Sequence, residues 1–354
     1  QFRGERRFPH RIPPFQGFAI SQEAPLLKIR TVFPRLARIA GVTLALAAFG
    51  MQNTSAQTPS EIRLDYATYN PVSLLLKERG YLEEALAEDG IGVRWVQSHG
   101  SNRALEFLNA GSLDFGSTAG AAALIGRING NPIHAIYVYS RPEWTALVTQ
   151  ADSDIQSVED LAGKAIAVTR GTDPHIFLVR ALASAGLTER DVRLVLLQHA
   201  DGRLALERGD VQAWAGLDPM MAASELESGA RLFYRDADAN SWGILNVRAA
   251  FAEEHPELVE RVVAAYERAR AEALADPEAI QALFRDFTRL PEDVVARQFE
   301  RTDLTHSAIG DAQRETILQA GLALQEAGII RRNVDVVSHL DALIDTRFAP
   351  ASTQ

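Results

Sequence analysis

The spacing of apolar and polar positions along this chain switches repeatedly between the two-residue period of strands and the 3.6-residue period of helices. Ile62–Tyr66 reads as a strand, and Pro71–Arg79 as a helix opened by the cap-and-proline pair Asn70-Pro71. Val93–Gln97 is predicted as a strand, Arg103–Asn109 as a helix closed by Gly111, Leu113–Gly116 as a buried strand, Gly120–Ile128 as a small-residue helix and His134–Tyr139 as a strand. A second set begins after Arg141-Pro142, with Thr145–Thr149 strand-like and a capping-box spacing in Ser157-Val158-Glu159-Asp160-Leu161 that predicts a helix start. Lys164–Thr169, Val192–Leu197, Val211–Ala215 and Arg231–Tyr234 follow as strands, separated by helices over Ile176–Ala185 and Leu204–Arg208. Ile244–Val247 reads as a strand returning to the first set, and from Pro256 to Ile344 the pattern is helical. Such alternation predicts parallel or mixed sheets with helices on both faces. The expected division places residues 61–142 and 243–345 in one lobe and 143–242 in a second, with a cleft between them, a favoured place for small ligands.

The first 56 residues have a different character. Residues 1–25 are rich in Pro, Phe and Arg and show neither period. Lys28 to Arg38 is basic, an apolar run follows from Ile39 to Phe49, and small residues close the segment at Thr54-Ser55-Ala56. Basic start, short apolar middle and small-residue exit are the parts of a secretory signal peptide. The expectation is therefore a leader over residues 1–56, with the signal peptide at about 26–56, cleavage after Ala56 and a periplasmic product. The apolar run is too short to span a bilayer, which needs about 20 residues.

Charge reinforces the division. Residues 1–56 hold eight Lys/Arg against two Asp/Glu, whereas the rest carries 28 against 44, a net of −16. So acidic a body is repelled by nucleic acid and by anionic lipid. Any anion it binds must be held by local donors. The chain has no cysteine, which excludes thiol catalysis, disulfides, iron–sulfur clusters and a lipid-modified N-terminal Cys.

Several strings along the chain resemble the substrate-binding proteins for aliphatic sulfonates, taurine and nitrate. They are Leu75-Leu76-Lys77 with Gly80, Ala104-Leu105 through Leu108-Asn109-Ala110-Gly111-Ser112-Leu113-Asp114-Phe115-Gly116, and Ser157 through Lys164. Gly171-Thr172 with Leu178-Val179-Arg180-Ala181-Leu182, Ala185-Gly186-Leu187, and Ala213-Trp214 with Asp218-Pro219 complete the set, in order, over about residues 61–345. The resemblance implies the type II periplasmic-binding-protein fold, two α/β lobes joined by two crossings with a ligand cleft between them. It implies a monomeric carrier that takes a small anionic solute, a sulfonate in chemical class, to an ATP-driven (ABC) permease, with no cofactor, metal or nucleic acid.

It also implies that the anionic head sits between the lobes, held by loops at strand ends. Three loops suit that task, namely Thr68-Tyr69-Asn70, Ser117-Thr118-Ala119-Gly120 and Gly171-Thr172-Asp173-Pro174-His175. Each joins hydroxyl donors to free N–H groups at a helix start, where the dipole favours negative charge. The plain alternative for each is helix capping. Ser117, Thr118 and Thr172 are expected to turn their hydroxyls into the cleft. Asp173 departs from the neutral Asn or Ser common in the family; either it caps the helix or the ligand carries a cation there, as taurine does, with His175 able to serve the same end. Arg141 stands at the first crossing, Trp144, Trp214 and Trp242 at or near the cleft rim, and Asp218 in the matching Asp-Pro pair.

Enzymes share this fold, so function does not follow from it alone. A desulfinase of the family uses a nucleophilic cysteine, and thiamin-pyrimidine synthases carry His and Cys clusters; this chain has neither Cys nor a GxSxG, P-loop or HExxH pattern. A carrier for nitrate, a thiamin pyrimidine precursor or riboflavin is the alternative binding function.

Overall fold

The computed structural model describes residues 58–350; the expected leader and its cleavage point lie outside the described residues. The chain runs β1 (Glu61–Tyr66), α1 (Pro71–Arg79), α2 (Tyr81–Leu86), β2 (Gly92–Gln97), α3 (Ser101–Asn109), β3 (Phe115–Ala119), α4 (Gly120–Ile128) and β4 (Ile133–Pro142). It then crosses into a second set, β5 (Leu147–Thr149), β6 (Ala165–Val168), α5 (Asp173–Ser184), β7 (Arg193–Leu196), α6 (His199–Glu207), β8 (Ala213–Ala215), α7 (Met220–Ser228) and β9 (Arg231–Tyr234). A second crossing leads to β10 (Gly243–Arg248), α8 (Ala249–Glu254), α9 (Pro256–Ala275), α10 (Pro277–Thr288), α11 (Glu292–Glu300), β11 (Thr302–Asp303), α12 (Asp311–Glu326) and α13 (Val336–Leu343).

Two sheets result. The first has the order β11-β4-β10-β3-β1-β2, and the second β7-β6-β8-β5-β9. β1 pairs parallel with β2 and β3, while β10 enters antiparallel between β3 and β4, setting Leu245 opposite Ser117 on one side and Tyr137 on the other. Strands covered on both faces need continuous apolar or small residues, and all five residues of β3 are buried. In the second sheet β6 pairs parallel with β7 and β8, and β5 runs antiparallel to β8 and β9. α9 packs on α1 and α2, and α12 and α13 pack on α4, so the helical tail covers the first sheet.

Local chemistry sets the element ends. The Asn70 side chain accepts from the Ser73 N–H, Pro71 takes the first helical position of α1, and Gly80 closes it with φ 66°. A cap of this kind stabilises a helix by about 1 kcal/mol. The helix expected from Ser157 onward is reduced to one 3₁₀ turn, Glu159–Leu161. Asp160 does accept from the Gln156 and Ser157 N–H groups, but Gly163 then turns with φ 75° and donates its N–H to Asp191 O, which draws the chain into β6. The two lobes are closed on each other, with α5 against α4 and α12 and α7 against α11.

Candidate functional site

Between the lobes lies a cavity of about 200 Å³ lined by Tyr69, Gly100, Ser101, Trp144, Thr172, Asp173, Pro174, His199 and Leu217. Three helices begin at its wall. α3 starts after Gly100, α5 after Thr172 and α6 after Gln198, and none of these N-caps makes a side-chain capping hydrogen bond. First-turn N–H groups have no intrahelical partner, and the helix dipole adds a partial positive charge there. Donors from one helix of the first lobe and two of the second therefore converge. Tyr69, Trp144, Pro174 and Leu217 supply an apolar wall beside them.

The first lobe braces its part of the wall from beneath. The Tyr69 hydroxyl donates to Ser117 O at 3.0 Å and lies 2.8 Å from Ser98 Oγ. Ser98 Oγ donates to Asp65 Oδ2, while the Ser117 N–H and hydroxyl both donate to Asp65 Oδ1. Asn70 Nδ2 in turn donates to Ser117 Oγ at 2.8 Å. Burial pushes the Asp65 carboxyl up to about 6, against the Ser98 and Ser117 hydrogen bonds that favour its ionised form. Ser101 Oγ accepts from Ala119 N, which ties the start of α3 to the end of β3.

Asp173 ties the second lobe to both crossings. Its Oδ2 accepts from Trp144 Nε1 at 2.7 Å and from the Ser241 N–H at 3.0 Å, and its Oδ1 accepts from Ser241 Oγ at 2.6 Å. Burial pushes this carboxyl also up to about 6, opposed chiefly by the Ser241 and Trp144 hydrogen bonds. Both oxygens are thus engaged at the hinge, and the side chain neither caps α5 nor stands free to meet a cation. The Trp144 ring meets Tyr69 edge-on at 6.1 Å.

The residues expected from sequence divide accordingly. Tyr69, Trp144, Thr172, Asp173 and Pro174 line the cavity. Ser117 and Thr118 are fully buried beneath it; the Thr118 hydroxyl accepts from Asn246 Nδ2 at 2.8 Å, and the Thr172 hydroxyl donates to Thr169 O at 2.6 Å. None of the three hydroxyls expected in the cleft is free to reach into it. Asn70 belongs to the Ser117 network, Thr68 O accepts from Gln298 Nε2, and Gly120 packs where a Cβ would lie 2.6 Å from Ile317. His175 is buried against Glu189 at 2.7 Å. Arg141 is half exposed, pairing with Asp238 at 3.0 Å and resting over Trp242, whose ring meets His306 edge-on. Trp214 is core beneath α6, and Asp218 Oδ1 accepts from the Ala222 N–H and meets Arg301 at 3.4 Å.

Sequence reasoning missed Gly100, Ser101, His199 and Leu217 as wall residues. Gly100-Ser101 and His199 do stand between a strand and a helix, the same grammar that marked the other loops. The imidazole of His199 is 2% exposed, and burial alone pushes its pKa down to about 3. With Thr172 committed to backbone and Asp173 to Trp144 and Ser241, these groups form no nucleophile–base pair. Among the described residues, no cluster of three or more His, Asp or Glu is placed to hold a metal ion. The arrangement is suited to holding a small anion with a short apolar tail.

A two-lobed α/β protein with such a cavity between its sheets is of the periplasmic-binding-protein class in fold. More particularly, the chain belongs to the NMT1/THI5-like family, whose model matches residues 73–280. It is 29% identical over 302 residues to an Escherichia coli protein named for binding aliphatic sulfonates, covering 83% of this chain and 94% of that protein. The crystal structure of the periplasmic aliphatic sulphonate binding protein SsuA from Escherichia coli matches with a TM-score of 0.70 and 26% identity, over 84% of this chain and 96% of that one. The alkanesulfonate-binding protein SsuA from Xanthomonas axonopodis pv. citri, bound to MOPS, matches with a TM-score of 0.74 and 23% identity, over 81% of this chain and 99% of that one.

Proposed function

We propose that this protein is the periplasmic solute-binding component of an ABC importer, which captures a small alkanesulfonate between its lobes and passes it to the permease. The observation that carries this reading is the meeting of three uncapped helix starts, from both lobes, at one cavity with an apolar wall. A sulfonate offers three acceptor oxygens to those donors and an alkyl group to Tyr69, Trp144 and Leu217. The names of the sulfonate-binding relatives support the same ligand class.

The size of the cavity bears on how a ligand enters. Within it, space for a water centre amounts to only about 10 Å³, roughly one water molecule. The ligand therefore enters while the lobes are apart and the cleft shuts around it. Arg301 of the first lobe, set between Asp218 and Glu225 of the second, helps hold the shut form.

Calorimetric titration of the protein with ethanesulfonate, taurine, nitrate and riboflavin tests the proposal. Ethanesulfonate is expected to bind at least tenfold more tightly than nitrate, with no heat from riboflavin. Tight binding of nitrate or riboflavin without any sulfonate response would overturn it.

A further inference from the structure

We infer that His199 is a ligand-contacting residue of this cleft, donating a hydrogen bond from its imidazole to an oxygen of the bound anion. The inference rests on the sulfonate-binding reading and assigns it a side-chain donor. His199 opens α6 at the cavity wall and is 2% exposed, yet neither Nδ1 nor Nε2 has a hydrogen-bond partner. A neutral imidazole carries one donor and one acceptor, and burying both unpaired costs stability that a merely structural histidine does not forgo. His175, also buried and in the first turn of α5, shows the ordinary arrangement, with Nε2 against Glu189 at 2.7 Å.

The position is as telling as the missing partners. His199 Nε2 lies 3.1 Å from where a Cβ on Gly100 would stand, so the ring edge of the second lobe rests on the start of α3 in the first. A side chain on Gly100 would press on that ring and on Asn102 Oδ1. The one carboxylate in the same wall, Asp173, has both oxygens engaged by Trp144 and Ser241 and makes no hydrogen bond to the ring. Burial keeps the imidazole neutral, so it meets an anion as a hydrogen-bond donor beside the amides of three helix starts. A hydrogen bond to a charged group accounts for the roughly tenfold to hundredfold loss expected when the donor is removed.

The test is ethanesulfonate titration of the wild-type protein, His199→Ala and His199→Gln, with thermal unfolding of each unliganded protein as the control for folding. His199→Ala is expected to bind 10- to 100-fold more weakly. His199→Gln, which keeps an N–H donor, is expected to recover part of that loss. Because the unliganded ring has no hydrogen bond to lose, the unliganded unfolding temperature changes little in His199→Gln. In ¹⁵N spectra of the histidine rings, the signals missing from His199→Gln are expected to move in the wild type on saturation with ethanesulfonate. Wild-type affinity in both variants, or ring signals that stay in place, would overturn the role of His199 while leaving the sulfonate reading intact. A wild-type protein that takes up no ethanesulfonate would overturn the reading itself, and the proposed contact with it.

Discussion

Ser117 shows how far a single side chain can be read from its type and its neighbours in sequence. A hydroxyl after a strand and before a helix is a fair candidate donor, and that much is legible. What is not legible is Asp65, fifty-two residues earlier, whose buried carboxylate takes both the Ser117 hydroxyl and N–H. A buried ionisable group outbids a cleft for nearby donors, because leaving it unpaired is costly. Asp173 follows the same rule, drawn inward by Trp144 and Ser241 instead of facing a ligand. Asp218 offers the clearest pH test of such a group. Burial pushes it from an ordinary 3.8 to about 7, in spite of Arg301, which Glu225 also engages. The folded protein therefore holds a proton that the unfolded chain has released between about pH 4 and 7, and stability falls as pH rises through that window. Asp218→Asn lacks this titration. Urea unfolding at pH 4.5 and 7.5 should show the wild type losing stability relative to the variant, by up to about 1.4 kcal/mol per pH unit. A difference that is constant, or that grows in favour of the wild type with pH, would contradict the assignment.

At the scale of elements, strand order and the late helical tail are plain in the alternation of periods, since strands buried on both faces and amphipathic helices leave strong patterns. The helix starts are not. α3, α5 and α6 begin at Ser101, Asp173 and His199, where the pattern suggested Arg103, Ile176 and Leu204. Their first turns, Ser101-Asn102, Asp173-Pro174-His175 and His199-Ala200-Asp201-Gly202-Arg203, hold few large apolar residues and so no period to detect. Those same turns form part of the cavity wall, and Gly100, Ser101 and His199 were hidden where the periodicity fades. The placement of α6 depends on Gly202, where a Cβ would lie 2.7 Å from Trp214 Nε1 and 2.9 Å from Cδ1. Trp214 is fully buried and cannot retreat. Gly202→Ala gains about 1 kcal/mol of helix propensity, but overpacking costs roughly 1–3 kcal/mol, so a net loss of up to about 2 kcal/mol is expected. Ethanesulfonate affinity should fall with it, because α6 carries His199. Thermal unfolding and titration of the variant check this, and a variant as stable as wild type would show that α6 can slide without cost.

For the whole molecule, the proposed function requires an acidic body to hold an anion. Beyond the first 56 residues the net charge is −16, so long-range attraction is absent and short-range donors must supply the affinity. In the proposed function two lobes meet that need by shutting helix starts from both sides onto one head group and excluding water, which strengthens each hydrogen bond. The ligand is then inseparable from closure: the amides of α3 lie in one lobe and those of α5 and α6 in the other. A crystal structure of the ethanesulfonate complex tests this most directly. The account predicts sulfonate oxygens within hydrogen-bond distance of first-turn N–H groups of α3, α5 and α6, with the ethyl group against Tyr69, Trp144 or Leu217. A sulfonate bound by the Ser117 and Thr118 hydroxyls, at Arg141 or within one lobe alone would contradict it.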